Sequence, residues 1–72
     1  YIYILVFDLE GNKLNSLPDD FFEKLSSVKW VDLRNNCLTS LPTIGLKNHN
    51  SLEILLLQGN QIRYLPPELG NN

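Results

Sequence analysis

The sequence predicts an α/β solenoid built from about three repeats of 24 residues. Two observations carry that prediction. Three asparagines, Asn12, Asn36 and Asn60, recur at a constant spacing of 24 residues. Around each of them the same frame of apolar residues returns, with a proline at its end. A fixed period of this length is the mark of stacked supersecondary units rather than of one irregular core.

The frames read in order as follows. The first holds Ile4, Phe7, Leu9, Asn12, Leu14, Leu17 and Pro18. The second holds Val28, Val31, Leu33, Asn36, Leu38, Leu41 and Pro42. The third holds Leu52, Leu55, Leu57, Asn60, Ile62, Leu65 and Pro66. Each has the form L-x-x-L-x-L-x-x-N-x-L-x-x-L-P with conservative exchanges at the leucine positions. The chain therefore divides into repeats 4–27, 28–51 and 52–72, forming one array over 1–72.

This motif resembles the leucine-rich repeat family, and the resemblance covers the chain from about Ile4 onward. It implies a curved solenoid with a parallel β-sheet on the concave side and short helices or irregular segments on the convex side. Within each repeat the L-x-L core alternates apolar and polar residues, the period-two pattern of a half-buried strand. Phe7 and Leu9, Val31 and Leu33, and Leu55 and Leu57 are thus expected to point inward. The asparagine follows where the strand turns away. Its amide both donates and accepts, so a stack of Asn12, Asn36 and Asn60 can satisfy backbone groups of adjacent coils. The proline fixes φ and ends regular structure in the arch.

The convex segments differ. Residues 19–25, Asp-Asp-Phe-Phe-Glu-Lys-Leu, place acids early and a lysine late, which suits the dipole of a short helix with Phe22 and Leu25 inward. The second convex segment, residues 43–51, carries Gly45, two asparagines and His49 where an apolar residue is expected. It is predicted to be irregular, with Ile44 and Leu46 as its core contribution. The third ends Leu65-Pro66-Pro67-Glu68-Leu69-Gly70, an ending similar to that of intracellular members of the family. Neither end shows the polar cap that solenoids need to cover terminal leucines and an open strand edge. The chain is read as an uncapped length of a longer array, with adjacent repeats or a partner covering its ends.

Composition narrows the functional classes. A hydrophobic content of 43% suits a packed core, and a net charge of −2 gives no electrostatic support to nucleic-acid or anionic-membrane binding. No run approaches the roughly 18 apolar residues of a membrane span. A single cysteine, Cys37, excludes an internal disulfide and a cysteine-ligated metal site. With no Asn-x-Ser/Thr sequon present, it leans towards a reducing, cytoplasmic compartment. Nothing calls for a cofactor or a metal. No phosphate-binding glycine motif is present, and Gly11 and Gly59 are explained by the bend that follows the strand.

The outward strand residues form rows across the repeats. Val6, Trp30 and Ile54 make one; Asp8, Asp32 and Leu56 the next; Glu10, Arg34 and Gln58 a third. Leu5, Lys29 and Glu53 flank the strand starts. Neighbouring strands lie about 4.8 Å apart, so members of a row should touch. Trp30 stands between inward Val31 and outward apolar neighbours, the arrangement of an interface hot spot. The alternative is a local role, covering the aliphatic stems of Lys29 or Arg34. Asp8 and Asp32, side by side, suggest a dock for a basic residue of a partner or a solvated charged surface; an acid/base pair lacks every catalytic companion. Glu10 and Arg34 are expected to form an exposed cross-strand pair. His49 reads as a surface-loop histidine and Cys37 as an unactivated thiol.

The leading functional expectation is a non-catalytic module that binds a protein through the face made by Val6, Asp8, Glu10, Lys29, Trp30, Asp32, Arg34, Ile54, Leu56 and Gln58. Alternatives are an architectural segment of a cytoskeletal or ciliary assembly and the ligand-binding ectodomain of a cell-surface receptor.

Overall fold

The computed structural model describes residues 5–64. Ile4, Leu65, Pro66 and the Leu65–Gly70 ending lie outside the described residues, as do the outer limits of the first and third repeats. Three short strands and one helical turn make up the regular structure: β1 (Val6–Asp8), α1 (Phe21–Lys24), β2 (Trp30–Asp32) and β3 (Ile54–Leu56). None of the described helical structure is long and apolar enough to cross a membrane.

The strands form one parallel sheet in the order β1-β2-β3. Val6 pairs with Trp30 and Trp30 with Ile54, so the register steps by the sequence period. Parallel neighbours need a long crossover, and here the convex arch of each coil supplies it. Beyond the strands the coils stay bonded to each other. Leu9 N–H donates to the Asp32 carbonyl at 2.8 Å, and Leu33 N–H repeats this to Leu56 at 2.9 Å. Cys37 N–H donates to the Leu14 carbonyl at 2.8 Å, and Gln61 N–H to that of Leu38 at 2.9 Å. Each coil's peptide groups are thus largely satisfied by its neighbour, the condition for burying irregular backbone.

The asparagines supply the rest. Asn36 Oδ1 accepts from the Asn12 and Leu14 N–H groups at 3.0 and 2.9 Å, while its Nδ2 donates to the Leu9 and Leu33 carbonyls at 3.0 Å. One coil later, Asn60 Oδ1 accepts from Leu38 N–H at 3.0 Å, and Nδ2 donates to the Leu33 and Leu57 carbonyls at 2.8 and 2.9 Å. Each side chain therefore ties its own coil to the one before. The Asn12 side chain is exposed and makes no such bond among the described residues, so the stack acts here through Asn36 and Asn60.

On the convex side the predicted helix is a single turn. Lys24 and Leu25 N–H groups reach back to the Asp20 and Phe21 carbonyls, and Asp20 precedes the turn without a side-chain cap bond. Phe22 is fully buried as predicted. Phe21 joins it, stacked on Phe7 with ring centroids 5.6 Å apart and edge-on to Phe22 at 5.0 Å. Residues 44–48 form turns rather than helix. Leu46 is buried, whereas Ile44 is 49% exposed and leaves the core. The reason is Gly45, at φ +81°, whose backbone lies against Glu23: a Cβ there would come within 2.7 Å of the Glu23 Cα. That approach carries Leu46 inward and turns Ile44 away.

The core is concentrated in the middle coil. Val28, Val31, Leu33 and Leu38 are fully buried, joined by Leu41 and by Phe21 and Phe22 of the preceding arch. Phe7, Leu9 and Leu14 before them, and Leu55, Leu57 and Ile62 after them, occupy equivalent positions but are only half-buried. Equivalent residues differ because a solenoid coil is covered by its neighbours alone, and only the middle one has described neighbours on both sides.

Candidate functional site

The strand register brings the predicted rows together on one side of the sheet. Val6, Trp30 and Ile54 lie side by side and remain exposed, Trp30 at 42%. Trp30 turns outward because Val31, one residue on, is drawn fully into the core. Leu5 extends the apolar surface at the strand start, where its carbonyl accepts from both Lys29 and Trp30 N–H groups. Lys29 and Glu53 stand beside it, both exposed. On the other side of the Trp30 row, Asp8 pairs with Asp32 and Asp32 with Leu56, which is half-buried.

The two aspartates are not equivalent, and the expectation that Asp8 and Asp32 together form a dock for a basic residue or a solvated charged surface is corrected at Asp32. Asp8 is exposed; its Oδ1 accepts from Glu10 N–H at 3.0 Å in a short turn off the strand. Asp32 makes the same turn with Arg34 N–H at 3.1 Å but is only 3% exposed. Its carboxylate is clasped by the Arg34 side chain, Nε to Oδ1 at 3.0 Å and Nη2 to Oδ2 at 2.7 Å. The hydrogen bond from Arg34 holds the Asp32 carboxyl below its ordinary value, with partial desolvation opposing it. The same bond raises the guanidinium. Asp32 therefore positions Arg34 and has no free oxygen to offer a partner.

Arg34 also approaches Glu10, Nη2 to Oε1 at 3.6 Å, which gives the expected cross-strand pair. Asn35 Nδ2 donates to the other Glu10 oxygen at 3.3 Å. Gln58 completes the row as an exposed residue whose carbonyl accepts from Asn35 N–H at 2.9 Å. Asp8, Glu10 and Asp32 oxygens lie within 4.8 Å of one another. Such a trio resembles a cation site in outline, yet the Arg34 guanidinium already pairs with two of the three, Asp32 and Glu10.

The remaining reactive side chains are spoken for or isolated. Cys37 is exposed and unpaired. His49, expected on a solvated loop, is instead half-buried and pinned at both ring nitrogens. Ser51 and Leu52 N–H groups point at Nδ1 at 3.3 and 3.0 Å, and Nε2 lies 2.8 Å from the Leu25 carbonyl. Backbone N–H groups can only donate, so Nδ1 accepts and the proton resides on Nε2, donating to Leu25. The histidine thus replaces the expected apolar residue by bonding one convex segment to the preceding one. Asn35 was also missed. At φ +58° it takes the place that Gly11 (+75°) and Gly59 (+78°) hold in the other coils, a conformation asparagine tolerates better than most residues. Its alignment with those glycines was the available signal.

Comparison with known proteins agrees with the repeat reading. The leucine rich repeat family matches residues 5–62. The chain is 37% identical over 89% of its length to the transforming growth factor beta activator LRRC32 of Pongo abelii. It is 41% identical over 81% of its length to the probable serine/threonine-protein kinase roco5 of Dictyostelium discoideum. It is 44% identical over 93% of its length to the leucine-rich repeat-containing G-protein coupled receptor 5 of Homo sapiens. The chain spans only 13%, 2% and 7% of these relatives respectively. An activator, a kinase and a receptor share the match, so it carries the repeat and not a compartment or a whole-protein activity. No solved structure matches the chain.

Proposed function

Because the chain belongs to the leucine-rich repeat family, we propose that it is a non-catalytic module that holds a protein partner on the exposed face of its sheet. The observation that carries this reading is the row Val6, Trp30 and Ile54, three large apolar side chains left in water next to a fully buried core. Tryptophan offers a large rigid contact surface with little rotamer entropy to lose, and it dominates interface hot spots. Leu5 and Leu56 widen the patch, and Asp8, Glu10, Arg34, Lys29, Glu53 and Gln58 rim it with polar groups, the anatomy of a protein interface. Asp32 belongs to this face as the support of Arg34.

The test is affinity capture on the full chain, wild type against Trp30→Ala, with circular dichroism confirming that the variant folds. A hot-spot residue costs about 2 kcal/mol or more on truncation, about thirtyfold in affinity. A folded variant that retains its partner would remove the basis for this reading.

Two cellular placements are open to such a module. The lone Cys37 and the absence of a sequon favour the cytoplasm, as an intracellular member of the family. The G-protein coupled receptor among the relatives favours a cell-surface ectodomain. Labelling of intact cells with a membrane-impermeant amine reagent separates them: modification of the lysines before permeabilisation supports the ectodomain, and modification only afterwards supports the cytoplasm.

A further inference from the structure

We propose that the segment held on this face is an extended stretch of protein that sets a bulky apolar side chain on Trp30 and, two residues away, an arginine or lysine against Asp8 and Glu10. The inference rests on the reading of the face as partner-binding and adds the chemistry of what it selects.

Pitch and charge support it together. Along β1 and β2 the apolar row and the row of Asp8 and Asp32 are two residues apart, about 6.7 Å in a strand, with Glu10 just past the end of β1. An extended partner chain presents its own alternate side chains at that same interval and on one side. Bulky apolar and basic residues at positions i and i+2 therefore meet both features at once.

The charge on the acidic side is unbalanced. Three carboxylates share a space less than 5 Å across, against one guanidinium. Arg34 gives both of its contacting nitrogens to Asp32, at 3.0 and 2.7 Å, and reaches Glu10 only at 3.6 Å. Asp8 accepts only the Glu10 N–H among the described residues, through one oxygen, which leaves Oδ2 open. A partner carboxylate placed there meets repulsion; a guanidinium or ammonium completes the pairing. On the opposite side of the Trp30 row, Lys29 and Glu53 are adjacent and of opposite sign, so that side exerts no such selection. The basic residue is thereby assigned to one side only.

Trp30 is the single tryptophan of the chain, so its emission reports directly on the face. The experiment titrates the full chain with three tryptophan-free peptides, identical except for a central Leu-Ser-Arg, Leu-Ser-Gln or Leu-Ser-Glu. The arginine peptide is expected to bind about tenfold tighter than the glutamate peptide, with glutamine between them and the gap narrowing in high salt. Asp8→Asn with Glu10→Gln, which keeps an acceptor oxygen at each position, is expected to abolish the ranking, so that the arginine, glutamine and glutamate peptides bind the variant alike. Equal binding of all three by the wild-type chain overturns the charge selection and leaves the partner-binding face standing. Failure of every peptide to perturb Trp30 overturns both. A response to single-stranded oligonucleotide but to no peptide also overturns the proposal, since it assigns the face to a different macromolecule.

Discussion

Asp32 and Arg34, two residues apart at the end of β2, close a bidentate ion pair with the carboxylate buried and the guanidinium half-exposed. Both also belong to one turn, because the Arg34 N–H donates to the same carboxylate. The pair fixes a cation over the sheet face while removing an acid from it. It is therefore a part of the face that is also a part of the fold.

That double role predicts a pH dependence. The Asp32 carboxyl titrates below its ordinary value of 3.8, chiefly through the Arg34 hydrogen bond. Folding thus favours the ionised form. Its contribution is fully present above the unfolded value and is lost as pH falls through the lower folded one. Asp32→Asn should lower stability at pH 7 and make the acid limb of a urea midpoint-versus-pH curve shallower. An acid limb as steep in the variant as in the wild type would assign the loss to other carboxylates.

The asparagine positions should separate by burial although the sequence presents them alike. Asn36 bonds to the backbone of two coils from a 5% exposed site, whereas the Asn12 side chain is exposed. Removing Asn36 leaves the buried Leu33 carbonyl and the half-buried Leu9 carbonyl and Leu14 N–H without this partner, at about 1–3 kcal/mol for each group left unpaired. Against the few kcal/mol available to a domain this small, Asn36→Ala should unfold most of the protein. Asn12→Ala should stay within about 0.5 kcal/mol of wild type, as exposed substitutions do. Far-ultraviolet circular dichroism in a urea series reads both, and comparable losses would contradict the described bonding.

The same asymmetry applies to the leucines. Leu33 is fully buried, while Leu9 and Leu57 in the equivalent positions are half-buried. Leu33→Ala should cost about 2–5 kcal/mol, and Leu9→Ala or Leu57→Ala roughly half as much. A uniform cost, measured by denaturant unfolding, would mean that the end coils are covered in solution as fully as the middle one.

What the sequence made legible is the part governed by repetition. The three-fold recurrence of the frame placed the strands, their register and the outward rows, because a parallel ladder between identical units has only one offset that aligns every leucine. The convex side obeys no such constraint. Spacing along a short helix turns only Phe22 inward with Leu25, yet Phe21 is buried as well, stacked on Phe7 and edge-on to Phe22. Hydrophobicity alone assigns Ile44 to the core, and the close approach of Gly45 to Glu23 reverses that. The burial of Asp32 was hidden for a related reason: alternation gives a side chain's direction, not the neighbour that folds over it.

His49 is the clearest case of chemistry that hydropathy misreads. The repeat pattern expects an apolar residue there, and the usual stabilising exchange would restore one. Its ring, however, accepts from the Leu52 N–H at 3.0 Å and lies 2.8 Å from the Leu25 carbonyl. His49→Leu should therefore destabilise by about 1–3 kcal/mol despite its greater hydrophobicity, since it strands those backbone groups. His49→Asn, which keeps one acceptor, should fall between. Thermal unfolding of the two variants decides the matter, and a leucine variant more stable than wild type would show that packing outweighs the bonds.

Gly45 and Gly11 provide a final contrast, because both hold a left-handed φ but only one is crowded. At Gly11, φ +75°, an added Cβ meets nothing within 4 Å, so Gly11→Ala should cost only the conformational strain of about 1 kcal/mol. At Gly45, φ +81°, the same Cβ would lie 2.7 Å from the Glu23 Cα and 2.8 Å from its amide nitrogen. These are backbone atoms of the adjacent convex turn, so no side-chain rotation relieves the overlap and the two arches must part. Gly45→Ala should then cost clearly more than Gly11→Ala and expose Leu46 and Phe22 beneath it, with increased hydrogen exchange at the amides of α1. Equal costs for the two variants, with α1 exchange unchanged, would show that the arches are not held in contact at Gly45.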